Sequence, residues 1–175
     1  MSKAEKKKVG AVIFKDNRVI ATGFNGTVRG TDNKCEHTVE SIIGYSCTNC
    51  GESCVTNYCD KCDKEFEPIT PIYDTKLVTK DSVIHAEENA IIQCASKGIA
   101  CENSVMFVTH SPCRRCAKTI AQAGISTVYF DKVHDNGDGL LDLVSYNVAV
   151  VSITEEGSKW ISKFNEEQRM VIEDV

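Results

Sequence analysis

No stretch of this 175-residue chain approaches the roughly 20 apolar residues that a membrane-spanning helix needs. The basic start, Met1 to Lys8, has no apolar segment of signal type behind it, so a cytoplasmic setting is expected rather than secretion. An excess of positive charge is also lacking. Twenty Lys and Arg against 25 Asp and Glu leave a net charge of −5. A protein that grips a long nucleic acid usually carries a basic face, because phosphate contacts dominate its affinity. A single Trp offers little for stacking successive bases. These absences turn the reading away from membranes and polynucleotides and leave a small-molecule partner.

What the chain has in quantity is cysteine, ten residues in all. Without a secretory signal, that count points to a reducing compartment and metal ligation rather than disulfides. Six of the ten fall in three Cys-x-x-Cys pairs: Cys47/Cys50, Cys59/Cys62 and Cys113/Cys116. The first two pairs lie close together, as in a zinc ribbon, where each pair clips a tight turn and aims two thiolates at one ion. Four thiolates leave no open coordination position, so this zinc is expected to be structural. Cys54 lies between the pairs and is an alternative ligand, while Cys35 and His37 read as a free surface thiol and imidazole. Residues 45–68 are therefore expected to form an inserted module within a single domain of residues 1–175.

Outside the module, apolar runs mark the elements. Val9 to Phe14 and Arg18 to Gly23 read as a β-hairpin turning at Lys15-Asp16-Asn17. Gly23-Phe24-Asn25-Gly26 suggests a tight turn that aims a polar side chain outward. Glu36 to Gly44 reads as a short helix. A helix is expected from His85 to about Lys97, a strand over Ser104 to Thr109, and a helix from Cys113 to Ala123. Strands at Thr127 to Phe130 and Val148 to Ile153 flank a helix at Gly139 to Ser145, and an amphipathic helix to about Met170 closes the chain. The alternation predicts a layered α/β domain with a mostly parallel second half.

The chemistry centres on His85-Ala86-Glu87 and Pro112-Cys113-Arg114-Arg115-Cys116. One imidazole and two thiolates can hold zinc and leave its fourth position for water, whose pKa the ion lowers. Cys113 and Cys116 open a helix, where free N–H groups and the dipole favour thiolates. Glu87, two residues from His85, can face the same cavity without ligating. There it can shuttle a proton from water to ring nitrogen N3 and then to the departing amine.

The two motifs together resemble those of the deoxycytidylate (dCMP) deaminases, within the cytidine/deoxycytidylate deaminase superfamily. Val9-Gly10-Ala11-Val12-Ile13, Gly23-Phe24-Asn25-Gly26 and Asp131-Lys132-Val133-His134-Asp135 extend the likeness over most of the chain outside the cysteine-rich module. The resemblance implies a three-layer α/β/α fold with a mixed five-stranded sheet, and hydrolysis of dCMP to dUMP and ammonia for thymidylate synthesis. It also implies a homo-oligomer, often a hexamer, activated by dCTP and inhibited by dTTP. Two zinc ions are then expected: one catalytic, on His85, Cys113 and Cys116, and one structural, on Cys47, Cys50, Cys59 and Cys62. Asn25, Thr109 and Ser111 would meet the substrate, and Gly23, Phe24, Asn25 and Gly26 an effector nucleotide. Arg115 is a candidate for the 5′-phosphate, since a guanidinium fork suits it. The chain departs from the family pattern in its short N-terminus, in His110 where leucine is common, and in Val133 where many members carry tyrosine. The alternatives are another cytosine nucleotide as substrate, dCTP or a 5-substituted dCMP, a nucleic-acid-editing deaminase, or a binding module on an inactive deaminase scaffold.

Overall fold

The N-terminal hairpin forms as the sequence predicts. β1 (Gly10–Lys15) and β2 (Arg18–Phe24) pair antiparallel with Lys15 opposite Arg18. The two residues between them, Asp16 and Asn17, have φ of 48° and 58°. Left-handed φ at both positions matches the right-handed twist of the strands, and Asp and Asn tolerate it. A two-residue strand, β3 (Gly26–Thr27), follows. The computed structural model describes residues 2–56, 58–65, 70–155, 157–159 and 161–162.

The chain divides into two compact units, one of Met1–Cys35 with Ser82–Val175, the other Glu36–Asp81. The second is wider than the 45–68 module read from the cysteines. Its main feature is a long ribbon of β4 (Glu36–Ser46), flanked at its tip by β5 (Ser53–Cys54), with β6 (Tyr58–Cys59) and β7 (Lys64–Glu65) beyond. β8 (Thr70–Thr79) returns antiparallel along β4, from Ser46 opposite Thr70 to Glu36 opposite Thr79. The helix expected at Glu36 to Gly44 is therefore a strand. Val39, Ile42 and Ile43 imitate helical spacing, and all three are exposed on the ribbon. With neither face buried, the alternation that identifies a strand is missing.

Back in the first unit, β9 (Val83–Ile84) pairs with β3, Gly26 opposite Ile84. Then come α1 (Ala86–Ser96), β10 (Val105–His110), α2 (Arg114–Gln122), β11 (Thr127–Lys132), α3 (Asp138–Ser145) and β12 (Ala149–Ser152). The sheet order is β12-β11-β10-β1-β2, parallel from β10 to β12 and antiparallel elsewhere, a mixed five-stranded α/β sheet. α1 packs on β1, β2 and α2, and α2 on α3. Ala11, Ile13, Ala21, Met106, Val108, Val128 and Phe130 form the buried sheet face. On the opposite face Phe107 and Tyr129 stack at 4.8 Å. The helix expected to run to about Met170 lies largely outside the described residues. No helix among the described residues is long and apolar enough to cross a membrane.

Candidate active site

The β3–β9 ladder delivers the chain to His85, the extended residue that caps α1. α1 then lies against β2 with almost no clearance. A Cβ on Gly23 would sit 2.0 Å from the Ala86 carbonyl oxygen and 2.6 Å from the Ala90 nitrogen. The glycine predicted for a turn is thus needed for close approach, and its φ is not in the left-handed region. β2 is the last strand of the sheet, and two α1 side chains satisfy its outer backbone. Asn89 donates to the Phe24 carbonyl at 2.7 Å, and the Thr22 N–H donates to Gln93 Oε1 at 2.8 Å. These two residues lie one helical turn apart, on one face. Sequence reasoning missed both.

The second motif is anchored from the sheet side. The Ser111 N–H donates to the Lys132 carbonyl at 2.7 Å, and Ser111 Oγ accepts from the His134 N–H at 2.8 Å. Cys113 is the extended cap of α2. A Cβ on Gly139, near the start of α3, would fall 1.9 Å from the Pro112 carbonyl oxygen. That contact holds the Pro112–Cys113 backbone against α3, and sequence pattern gave no sign of it.

These anchors bring His85, Cys113 and Cys116 together, with their ligand atoms all within 4.8 Å of one another. His85 Nδ1 is 3.5 Å from Cys113 Sγ and 3.3 Å from Cys116 Sγ. The Cys116 thiol donates to Cys113 and holds it down at about 3, with His85 adding to the effect. Cys116, left with the shared proton, is pushed far up. A charge-bearing thiolate, a second thiol and an imidazole converging on one point are a donor set that fits zinc with one position open. Glu87 is 4% exposed beside them, and burial pushes it up to about 7. It is a carboxyl that can hold or release a proton near neutrality.

Glu88 and Arg115 join the two motifs. Arg115 Nη2 donates to Glu88 Oε2 at 2.8 Å, and the His85 N–H points at the same oxygen at 3.4 Å. Arg114 pairs instead with Asp142 of α3 at 3.2 Å. Asn25 is also engaged: its Oδ1 accepts from the Val9 N–H at 2.9 Å and its Nδ2 donates to the Lys7 carbonyl at 2.8 Å. Thr109 Oγ1 accepts from the Gly10 N–H at 3.1 Å. The residues expected at the nucleotide therefore also fasten the N-terminal segment and the motif halves.

In the other unit, Cys47, Cys50, Cys59 and Cys62 place their sulfurs within 4.8 Å of one another. The Gly51 N–H donates to the Cys47 carbonyl at 2.8 Å, and the Cys62 N–H to the Cys59 carbonyl at 3.2 Å, giving two tight turns. Gly51 has a φ of 74°, which glycine adopts without strain. Four sulfurs on two such turns fit a closed tetrahedral zinc site. Cys54 packs beside Cys47 and Cys59 but stays outside the quartet. Cys35, expected on the surface, is buried in the first unit with Ala4 and Val83.

Residues 1–132 match the family model of the cytidine and deoxycytidylate deaminase zinc-binding region. The deoxycytidylate deaminase of Enterobacteria phage T4 is 32% identical over 169 residues, covering 90% of this chain and 83% of that protein. ComE operon protein 2 of Bacillus subtilis is 31% identical over 150 residues, covering 84% of this chain, which spans only 61% of that protein's length. A solved structure of the dCMP deaminase from cyanophage S-TIM5, in complex with dCMP and dUMP, matches with a TM-score of 0.59 at 29% identity, covering 87% of this chain and 85% of that one. The motif geometry and these likenesses agree: the chain belongs to the cytidine and deoxycytidylate deaminase family.

Proposed function

We propose that the protein hydrolyses dCMP to dUMP and ammonia, with one zinc at His85, Cys113 and Cys116 and a second, structural zinc at the Cys47–Cys62 quartet. The carrying observation is the buried Glu87 carboxyl next to three converging zinc-type ligands. A zinc ion bound there supplies Lewis-acid activation of a water molecule. Glu87 would accept one proton from the attacking water and place it on N3 as hydroxide adds at C4, then move the second proton, from the new C4 hydroxyl, to the amine, which leaves as ammonia while the C4 carbonyl forms.

The substrate assignments rest on the family likeness. Asn25, Thr109 and Ser111 serve the sugar and base, and Arg115 the 5′-phosphate. Each already has an internal partner, so nucleotide binding adds to or exchanges these bonds. Ser111 Oγ, for example, accepts from His134 and keeps its own hydrogen for donation. The Gly23–Gly26 segment is the proposed effector contact, for dCTP as activator and dTTP as inhibitor, in a cytoplasmic homo-oligomer with a hexamer favoured.

The test is ammonia release from cytosine, deoxycytidine, dCMP and dCTP, with and without dTTP. Turnover of dCMP well above the rest is expected. Preference for dCTP or for the free nucleoside would overturn the substrate assignment.

A further inference from the structure

Among the described residues β8 hydrogen-bonds to β4 alone, as the end strand of the sheet β5-β4-β8. Among these residues, its other edge has no strand partner along Thr70–Thr79. Such an edge is an invitation to strand pairing unless it is short, bulged or blocked by charge. β8 is ten residues long, and its one register irregularity with β4 lies between Ile42 and Gly44 on the other strand. Tyr73, Leu77 and Val78 are 55%, 36% and 38% exposed along it.

The sequence of this strand reads as its own complement. Set two copies antiparallel with Thr75 facing Thr75, and Asp74 of each copy faces Lys76 of the other. Tyr73 then faces Leu77, and Ile72 faces Val78, on both sides of the axis. Apolar residues meet apolar ones and opposite charges meet, which are the cross-strand pairs that stabilise a sheet. Slipping the pairing by two residues either way sets Asp74 against Asp74 or Lys76 against Lys76. Slipping by one leaves both charges facing neutral or apolar side chains. One register is therefore favoured and its neighbours are penalised. Lys76, which normally would block an edge, is here half of a matched pair. It already lies 3.5 Å from Asp74 of its own chain, so pairing would build a ring of four alternating charges.

We propose that β8 is a self-association edge, at which two copies of this chain join into one continuous antiparallel sheet about a two-fold axis at Thr75. An isologous contact of this kind closes on itself and does not propagate. The proposal deepens the homo-oligomer reading above by naming the surface, and it does not depend on the deaminase activity.

Charge reversal tests it on the full-length, zinc-loaded protein by sedimentation velocity. Lys76→Asp and Asp74→Lys should each weaken self-association about tenfold or split a larger particle along this edge, because two pairs per axis become like-charged. The double swap, with both substitutions in one chain, should restore wild-type association. Zinc content and circular dichroism establish that each variant is folded. A wild-type protein that stays monomeric, single reversals without effect, or a double swap as weak as the singles would each overturn the proposal. Turnover of dCMP on the same samples separates the two readings: an inactive protein that still obeys the charge swap sinks only the activity.

Discussion

Arg115 and Glu88 meet across the two halves of the metal motif, guanidinium to carboxylate at 2.8 Å, and the same carboxylate oxygen faces the backbone N–H of His85. The bridge ties α2 to the first residue of the ligand-bearing turn. It lies at a surface where Arg115 is still 59% exposed, so the guanidinium has donors to spare for an anion. If Arg115 also holds the substrate phosphate, Arg115→Ala should raise KM for dCMP about tenfold or more, the worth of a charge-assisted bond. KM for deoxycytidine should hardly move. Equal increases for nucleotide and nucleoside would assign Arg115 to the bridge alone.

Replacing Glu87 with glutamine keeps the side chain's shape and removes its proton chemistry. Turnover should fall by about 10²- to 10⁴-fold, the usual contribution of a positioned acid–base group. Zinc content measured on the same preparation should stay at the wild-type value, since Glu87 is not among the converging ligands. Loss of metal together with activity would mean that Glu87 holds the site rather than works in it.

The same carboxyl makes stability depend on pH in a definite direction. In the metal-free chain burial raises Glu87 from 4.5 to about 7. Between those values the folded chain keeps a proton that the unfolded chain releases, so this contribution to stability is lost as pH rises through the interval. Cys113, held low, acts in the opposite sense in both wild type and variant. The difference between wild type and Glu87→Gln reports Glu87 together with its pull on the neighbouring His85. Urea unfolding of chelated protein should show the variant gaining on wild type from about pH 5 to about pH 7. A pH-independent difference would count against a buried, protonated Glu87.

Gly139 supports the site without touching it. In Gly139→Ala the new methyl lands on the Pro112 carbonyl, so α3 or the Pro112–Cys113 backbone has to move. Destabilisation of about 1–3 kcal/mol is expected from such overpacking, with weaker retention of the catalytic zinc. Chelator competition against wild type measures the second effect, and unchanged zinc retention would show that α3 moves instead of Pro112.

Removing one sulfur from the quartet by Cys59→Ser should lower the zinc content from about two ions per chain to about one. The remaining ion should be that of His85, Cys113 and Cys116. A wild-type chain with a single zinc would leave the quartet as reduced thiols.

Much of this was readable in advance because its chemistry is local in sequence. The hairpin declared itself in Asp16 and Asn17, and the two convergent groups, His85 with Cys113 and Cys116 and the four paired cysteines, in their spacing. What escaped depends on contacts between distant segments. The ribbon strand β4 was misread because its apolar residues face no core. Gly23 was visible, but the reason for it lies in Ala86 and Ala90, far along the chain. Asn89 and Gln93 read as ordinary polar helix residues until β2 lies beside them with its outer backbone groups unmet.

The ladder between β3 and β9 has a bearing on how this chain can change over time. Gly26 lies opposite Ile84, and at the base of the ribbon Glu36 lies opposite Thr79. The segment Glu36–Asp81 thus leaves and rejoins the chain at neighbouring points, just ahead of His85. Lengthening, trimming or exchanging such a cassette alters loop-closure entropy only logarithmically. Only the β3–β9 pairing, Gly26 with Ile84 and Thr27 with Val83, lies outside that segment, so the ribbon is free to diverge while this short ladder stays just ahead of His85.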